Sequence, residues 1–322
     1  MRAAARLKRR RRLTLIVVSA ALVAAGTTFY VTTSRESAGA ALSANEEPTV
    51  TTVPKEAPEA AWTVVGRGRN GVFSDKKQVT VGGINFLAAR FRKATTKLSW
   101  HPGSEDPPNA SKSLPGMTNK IDFPGQEGHD GVLGAFNGAF KLSADSGGLK
   151  VRGEVLAPFK PGYATIAIDA DGRVAMWAGA AYQAPKGFVG VVFRQNLQFL
   201  VEGSRVTPPA KNPSQGLWGG TVGPVLRQSR TGVGLDGSGN LVYVATMGKC
   251  LPLELAQAMV QAGLVKGMEL DINPYWPILG MAPKPLHKPA GGFTVTLPGS
   301  QHSPFVFVEG WIRDFFVVTA QR

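Results

Sequence analysis

Cysteine and histidine are scarce in this chain. The 322 residues contain one cysteine, Cys250, and four histidines, at positions 101, 129, 287 and 302. A lone thiol forms no intrachain disulfide, and it excludes a thiolate zinc cluster, an iron–sulfur centre and a disulfide-built scaffold. The histidines are scattered and show no HExxH spacing, so a zinc hydrolase has little support. Cys250 is expected to be a small buried apolar residue.

Common nucleotide-binding and catalytic signatures are missing as well. The chain has no GxxxxGK phosphate loop and no GxSxG nucleophile elbow. Gly66 to Gly71 matches the GxGxxG spacing, but a dinucleotide site needs a helix next, and Val72 to Lys77 has no helical stripe. We therefore expect a surface loop at 66–71. The sequence indicates no cofactor; a divalent metal ion is conceivable, but no ligand spacing demands one.

Acidic residues are outnumbered by basic ones. Lys and Arg total 36 against 22 Asp and Glu, a formal net charge of +14. Such a balance suits an anionic partner, such as a glycoconjugate or a phosphate-bearing cell-wall polymer, although simple solubility explains it equally well. The basic residues of the main body are spread thinly, so nucleic acid is not an expected partner.

The amino terminus is typical of a membrane signal. Residues 1–12 are rich in arginine, and the apolar stretch from Leu13 to Val31 is free of charge. About 20 apolar residues are what a helix needs to span a bilayer. We predict a basic cytoplasmic segment at 1–12 and a single-pass transmembrane signal-anchor at 13–33, with the rest of the chain extracytoplasmic. The alternative is a cleaved signal peptide and a secreted protein, although its apolar region is usually only about 7–15 residues long.

The remaining chain divides into a linker and one folded region. Residues 34–61 are rich in Ala, Thr, Glu and Pro and almost devoid of large apolar residues, so they predict a disordered tether. Residues 62–322 contain the candidate domain. Its β-branched and aromatic runs predict many strands. Asp171-Gly172 is a tight-turn signal between two of them, and a Gly-rich loop at 237–240 separates two more.

One helix stands out late in the chain. Pro252 suits a first helical position, an apolar stripe follows at i, i+3, i+4 and i+7, and Gly263 suits a left-handed end. The stripe consists of Leu255, Ala258, Met259 and Ala262. A short strand over Met268 to Asp271 completes a β-α-β crossover. The predicted fold class is therefore mixed α/β (α+β), strand-rich, with a late β-α-β unit. In such units ligands bind beyond the carboxyl ends of the strands, which is where Asp271 falls.

Three segments combine polar residues with small neighbours. Asn137-Gly138 follows an apolar run, and an amide among small residues suits sugar hydroxyls or a phosphate oxygen; an ordinary Asn-Gly turn is the alternative. Arg230 opens a Gly-interleaved strand and suits an anion, although it could equally be a surface arginine. Glu269, Asp271 and Asn273 alternate on one face of a strand, which suits acid–base work on a sugar; the alternative is an Asp that caps a turn.

Together these segments resemble the phosphodiester glycosidase family, as a divergent bacterial branch. The matching blocks are Asn137-Gly138-Ala139-Phe140, Arg230 to Asp236, and the Leu253 to Gly263 helix leading into Met268 to Asp271. The resemblance implies hydrolysis of a sugar-1-phosphodiester in a cell-envelope glycoconjugate, by an exported mixed α/β domain.

The resemblance carries over three positions, Asn137, Arg230 and Asp271, and the residue patterns themselves add Glu269, Gly138 and Asn273. Asp271 would be the general acid or base, and Glu269 the second carboxylate. Arg230 would hold the phosphoryl group, and Asn137, Gly138 and Asn273 would contact sugar or phosphate. Arg194, after another apolar strand, is a further candidate contact, or simply a polar strand end.

The chain departs from the family pattern after Asp271. The family reads Leu-Asp-Gly-Gly-Gly-Ser, whereas this chain reads Leu270-Asp271-Ile272-Asn273-Pro274. A Gly-rich loop offers backbone amides to an anion, and proline has no N–H to offer. A non-catalytic envelope-glycan binding module on the same scaffold is therefore the alternative function.

Overall fold

A computed structural model describes residues 61–108, 113–123, 131–179, 184–212, 215–219, 226–289 and 292–321. The predicted basic segment, the anchor and the tether up to residue 60 lie outside the described residues. Within the described ranges, no helix has both the length and the apolar character needed to cross a bilayer. The transmembrane anchor therefore stays a prediction.

The described part of the chain is built mainly of strands. In chain order they are β1 (Thr63–Gly68), β2 (Gly71–Val81), β3 (Ile84–Phe91), β4 (Thr96–His101), β5 (Val132–Asn137), β6 (Leu149–Val151), β7 (Glu154–Ala157), β8 (Ala164–Asp169), β9 (Val174–Ala178), β10 (Gly190–Gln195), β11 (Phe199–Glu202), β12 (Arg205–Val206), β13 (Gln228–Asp236), β14 (Leu241–Cys250), β15 (Leu264–Glu269), β16 (Leu279–Leu286), β17 (Val295–Thr296) and β18 (Phe315–Ala320). The helices are α1 (Pro208–Lys211), α2 (Gln215–Trp218), α3 (Pro252–Gln261) and α4 (Val306–Glu309), with one 3₁₀ turn at Leu142–Ala144. The predicted strand-rich mixed architecture is confirmed.

The strands form three sheets. The first has eight strands in the order β1-β2-β3-β14-β13-β15-β11-β12. The second has the order β7-β6-β10-β8-β9, and the third β17-β16-β5-β18-β4. All the strand pairs recorded in these sheets are antiparallel. Antiparallel sheets can bury one face, and a single apolar cluster here draws Phe91, Ile166 and Phe316 from the three sheets.

The predicted crossover unit is present in the first sheet. β14 and β15 lie on either side of β13 and pair antiparallel to it, so they run parallel to each other. α3 connects them and packs against β2, β11, β14 and β15. Its apolar stripe is buried, and Gly263 has the expected positive φ of 86°. Asp271 therefore lies two residues beyond the carboxyl end of the returning strand.

Two predicted turns also form. Asp171-Gly172 connects β8 and β9, and the Gly-rich segment at 237–240 connects β13 and β14. The expectation of a surface loop at 66–71 was wrong, because Gly66–Gly68 belongs to the edge strand β1 and pairs with β2. The aromatic ring of Phe73 lies where a Cβ at Gly68 would stand, so the glycine spacing serves packing within a hairpin.

Candidate active site

A pocket of about 380 Å³ opens beyond the end of β15. It is lined by the segment after β15, the segment around the 3₁₀ turn and one residue before β18. The lining residues are Phe140, Lys141, Ser143, Ala144, Asp271, Ile272, Asn273, Trp276 and Arg313. A larger groove of about 580 Å³ runs along β2, β3 and β14, but the described residues that line it include no acid, histidine, cysteine or tyrosine. A third groove, of about 430 Å³, contains Asp169 and Asp171, but both are paired with Arg173. We therefore favour the pocket at Asp271, whose carboxyl group is nearly buried, for proton transfer.

Asp271 presents a nearly buried carboxyl group to this pocket. One carboxylate oxygen, Oδ2, lies 2.8 Å from Nη2 of Arg313, and Oδ1 accepts the N–H of Ile272 at 3.0 Å. Burial raises the pKa of Asp271 to about 7, against the opposing effects of Arg313 and the Ile272 N–H. A carboxyl group that titrates near neutrality can both give and take a proton at physiological pH, as a general acid or base must.

Arg313 is a pocket residue that the sequence analysis missed. Its guanidinium lies 4.8 Å above the Trp276 ring and donates to the carbonyl of Ala139 at 3.1 Å. Its Nε is buried without a hydrogen-bond partner, 3.9 Å from Oδ2 of Asp106, which is also unpartnered. Burial, followed by the charge of Asp314, raises the pKa of Asp106. Arg313 therefore lies between the carboxyl groups of Asp271 and Asp106, and a guanidinium at a pocket wall suits an oxyanion.

Asn137 lies directly behind Asp271. Its Nδ2 donates to Thr231 Oγ1 at 3.0 Å, and that hydroxyl donates to the backbone carbonyl of Asp271 at 2.8 Å. Oδ1 of Asn137 accepts the Tyr243 hydroxyl and the Ile278 N–H. The three predicted segments therefore meet, with Asn137, Thr231 and Asp271 in one hydrogen-bonded chain. The amide of Asn137 is occupied by protein groups and does not line the pocket.

Arg230 and Glu269 form a second ion pair, sealed from solvent. Both side chains are 0% exposed, and Nη1 of Arg230 donates to Oε1 of Glu269. The guanidinium also donates to the backbone carbonyls of Cys250, Trp218 and Leu226. Burial raises the pKa of Glu269 to about 7 despite Arg230. Neither residue lines the pocket, so this pair supports the strand ends from behind.

Arg194 is likewise a fully buried support. Its Nε donates to Oδ2 of Asp314 at 2.9 Å, and its other nitrogens donate to the carbonyls of Gln195 and Phe140. Position 138 has room only for glycine, because a Cβ there would lie 2.4 Å from Oδ1 of Asp314. The close approach at Gly138 is therefore to Asp314, while its carbonyl accepts the N–H of Asp271.

Asn273 lines the pocket and turns the chain. Its φ is 77°, a left-handed value that asparagine tolerates better than most residues. Its Oδ1 accepts the N–H of Tyr275 at 2.9 Å, which holds the side chain against the turn. Asparagine thus provides the left-handed turn at this wall of the pocket.

The pocket therefore gathers some of the predicted residues and not others. Asp271 and Asn273 line it; Asn137, Gly138, Arg194, Arg230 and Glu269 lie behind it. Among the residues that the structure describes, no cluster of three or more His, Cys, Asp or Glu side chains could hold a metal ion. The sequence signal for Arg313 was an adjacent charged pair, Arg313-Asp314, placed directly before an apolar strand.

Comparisons with known proteins find distant structural similarity and no match in sequence. No family model and no curated protein sequence matches the chain. Among solved structures, the chain is similar to the catalytic domain of zebrafish N-acetylglucosamine-1-phosphodiester α-N-acetylglucosaminidase, auto-inhibited by its pro-peptide. The identity is 10% and the TM-score 0.48, over 82% of this chain and 89% of that chain.

Two further structures are similar at lower scores. One is a hypothetical protein from Synechocystis, with 12% identity and a TM-score of 0.37 over 77% of this chain and 62% of that one. The other is described as an exported protein from Burkholderia pseudomallei, with 11% identity and a TM-score of 0.37 over 79% and 75% of the two chains.

Proposed function

We propose that the protein hydrolyses a sugar-1-phosphodiester linkage in a cell-envelope glycoconjugate. The observation that carries the proposal is the pairing of Asp271 with Arg313 at the wall of a pocket. The substrate class follows from the three sequence blocks that resemble phosphodiester glycosidases. We also propose that the domain is extracytoplasmic and held at the membrane through residues 13–33, or secreted if that segment is cleaved.

The proposed reaction breaks one bond and forms another. Water attacks the anomeric carbon, the bond from that carbon to the bridging phosphate oxygen breaks, and free sugar and a phosphomonoester result. Asp271 exchanges the proton, either as base toward the water or as acid toward the bridging oxygen. Arg313 binds the non-bridging phosphate oxygens as a planar cation at the pocket wall, beside the carboxyl group of Asp271. Asn273 contacts the sugar or the phosphate through its Nδ2 group.

The residues behind the pocket act in this proposal as positioning groups. Arg230 and Glu269 fix the end of β15, and Asn137 fixes the Asp271 backbone through Thr231. Gly138 and Arg194 place Asp314 under the same segment. Preorganised polar groups of this kind avoid reorganisation during the reaction.

The test uses the full chain in detergent and a panel of sugar-1-phosphate methyl diesters. We expect release of free sugar, and Asp271→Asn should lower kcat about 10²- to 10⁴-fold while leaving the fold intact. The pH profile of kcat should have one inflection near 7, rising if Asp271 is the base and falling if it is the acid. Failure to cleave any diester, or unchanged turnover by Asp271→Asn, would rule the proposal out.

A non-catalytic glycan-binding module is the second candidate. Ile272 and Pro274 stand where the family has glycines, and Pro274 has no N–H to offer an anion. Binding of anionic cell-wall polymer that survives Asp271→Asn, in the absence of any turnover, would favour this function.

A further inference from the structure

A group of aromatic rings continues outward from the pocket. Tyr275 lies edge-to-face with Trp276 at 4.9 Å and with His302 at 4.3 Å between ring centroids. His302 in turn lies 5.0 Å from Trp311, and Trp276 lies 6.0 Å from Trp311. We call these four residues the aromatic ledge. Its inner member, Trp276, lines the pocket and stacks on Arg313, so ledge and pocket are continuous.

The outer member of the ledge is open to solvent. Tyr275 is 46% exposed, and the only other described aromatic ring with comparable exposure is Phe305, at 40%. An exposed aromatic residue by itself requires no explanation. Tyr275 differs because it lies two residues after the pocket-lining Asn273 and packs against Trp276, which also lines the pocket.

The backbone under the ledge is fixed before any ligand arrives. Oδ1 of Asn273 accepts the Tyr275 N–H, and Pro274 restricts the residue between them. The Ser300 hydroxyl contacts the carbonyls of both Pro277 and His302, at 2.6 and 3.0 Å, which ties the His302 segment to the Tyr275 segment. A preformed surface loses little conformational entropy on binding.

The chemistry of the ledge suits a neutral ring rather than a second phosphate. The aromatic rings carry no charge, and burial lowers the pKa of His302, which favours the neutral imidazole. The two cations of this region, Arg313 and Lys141, line the pocket and are not members of the ledge. The C–H faces of a sugar ring are apolar while its rim is polar, and aromatic rings pair with flat groups of that kind.

We propose that the aromatic ledge is a subsite for a second sugar ring, so that the ligand is a glycan chain of at least two sugars. This inference rests on the proposed function for the position of the first sugar, in the pocket at Asp271. The second ring stacks on Tyr275, the exposed ring of the ledge, in the segment where this chain replaces the glycines of the family pattern.

The experiment compares substrates in matched pairs. Each pair is a monosaccharide-1-phosphate methyl diester and the trisaccharide-1-phosphate methyl diester of the same sugar, made for glucose, mannose and N-acetylglucosamine. With the full chain, Tyr275→Ala should raise KM for the trisaccharide diester about 3- to 10-fold, the size of one stacking contact, and leave the monosaccharide diester unchanged. Tyr275→Phe should behave like the wild type, because the ring is kept.

Phe305→Ala is the matched control, since it removes an equally exposed ring that does not belong to the ledge. It should alter neither substrate, and circular dichroism should show that all three variants are folded. If Tyr275→Ala affects both diesters equally or neither, the subsite does not exist, although the proposed hydrolysis would stand.

A binding measurement separates this inference from the proposed function. If no diester is cleaved, the free trisaccharides are titrated against wild type and Tyr275→Ala, with tryptophan fluorescence as the readout. Weaker binding by the variant supports the subsite even though the hydrolytic function has failed. Equal binding, or none, overturns both.

Discussion

Two arginine–carboxylate pairs in this molecule are alike in chemistry and different in access. Arg230 and Glu269 are both 0% exposed and contact only protein groups, whereas Arg313 and Asp271 lie at a pocket wall with side-chain exposures of 4% and 9%. Burial raises the pKa of both carboxyl groups to about 7. A perturbed pKa therefore does not by itself locate chemistry; here the pocket distinguishes the pair that a substrate can reach.

The largest effect should come from breaking the sealed pair. Glu269→Ala leaves the Arg230 charge buried without a counter-ion, which should lower the free energy of unfolding by about 3–5 kcal/mol. Urea unfolding followed by circular dichroism measures it.

The control for the sealed pair removes both charges together. Arg230→Met combined with Glu269→Leu fills similar volume without a buried ion, so most of the lost stability should return. A double variant as unstable as Glu269→Ala would mean that the carbonyl contacts of Arg230, and not the ion pair, determine stability.

A smaller loss of stability should follow at the open pair. Arg313→Met removes charge-assisted hydrogen bonds to Asp271 and Ala139, which should cost about 1.5–3 kcal/mol. Turnover of a sugar-1-phosphodiester should fall at least about 100-fold, because the oxyanion loses its donor. The two pairs would not differ in function if Glu269→Gln, measured where it remains folded, lost as much turnover as Arg313→Met.

The pH dependence of stability should contain a contribution from each pair, and the share of Asp271 can be isolated. A pKa near 7 in the folded chain, against about 3.9 when unfolded, means that the folded state holds the Asp271 proton more tightly. This contribution is complete below about pH 4 and is lost as the pH rises through 7, at up to about 1.4 kcal/mol per pH unit.

Asp271→Asn should therefore flatten the fall in unfolding free energy between pH 5 and pH 8. Glu269 remains in that variant and keeps its own share of the dependence, so some slope should persist. An unchanged slope in Asp271→Asn would show that Asp271 titrates at its ordinary value.

The smallest effect should come from the hydroxyl that connects the segments. Thr231→Val keeps the shape but removes the link between Asn137 and the Asp271 carbonyl, which should cost about 1–2 kcal/mol. Since the backbone of Asp271 loses a tether, kcat should fall while KM for the diester changes little. Thr231→Ser, which keeps the hydroxyl, should retain kcat; a Thr231→Val variant with the kcat of the wild type would show that the hydroxyl does not position Asp271.

Local sequence patterns predicted those helices and turns that depend on interactions between residues close together in the chain. The apolar stripe from Leu255 to Ala262 correctly predicted a helix, because its helical period, the proline before it and the glycine after it all indicate the same element. The same is true of the Asp171-Gly172 turn. The edge strand at Gly66 to Gly68 was missed because its glycines were interpreted as a loop signal. These residues form a strand because they pair with β2, which lies further along the chain.

The site was predictable only in part for a related reason. Asn137 ends β5 and Asp271 follows β15, as the strand-end rule predicts, while Thr231 lies inside β13 and connects them. Burial was not predictable: Arg230 and Arg194 look like surface anion clamps in the sequence, and both are 0% exposed. Arg313 reaches the pocket only because β18 is inserted between β5 and β4, a long-range arrangement with no local signature.

Because β18 is the last strand of the chain, the pocket can form only after this strand has been inserted between β5 and β4. β18 pairs with two strands formed much earlier in the chain, and Arg313 lies just before it. A nascent polypeptide lacking this stretch would display Asp271 without its guanidinium and leave a gap between two strands that invites partner chains. Ribosomal stalling or clipping ahead of Arg313 should therefore give an aggregation-prone species with an incomplete pocket.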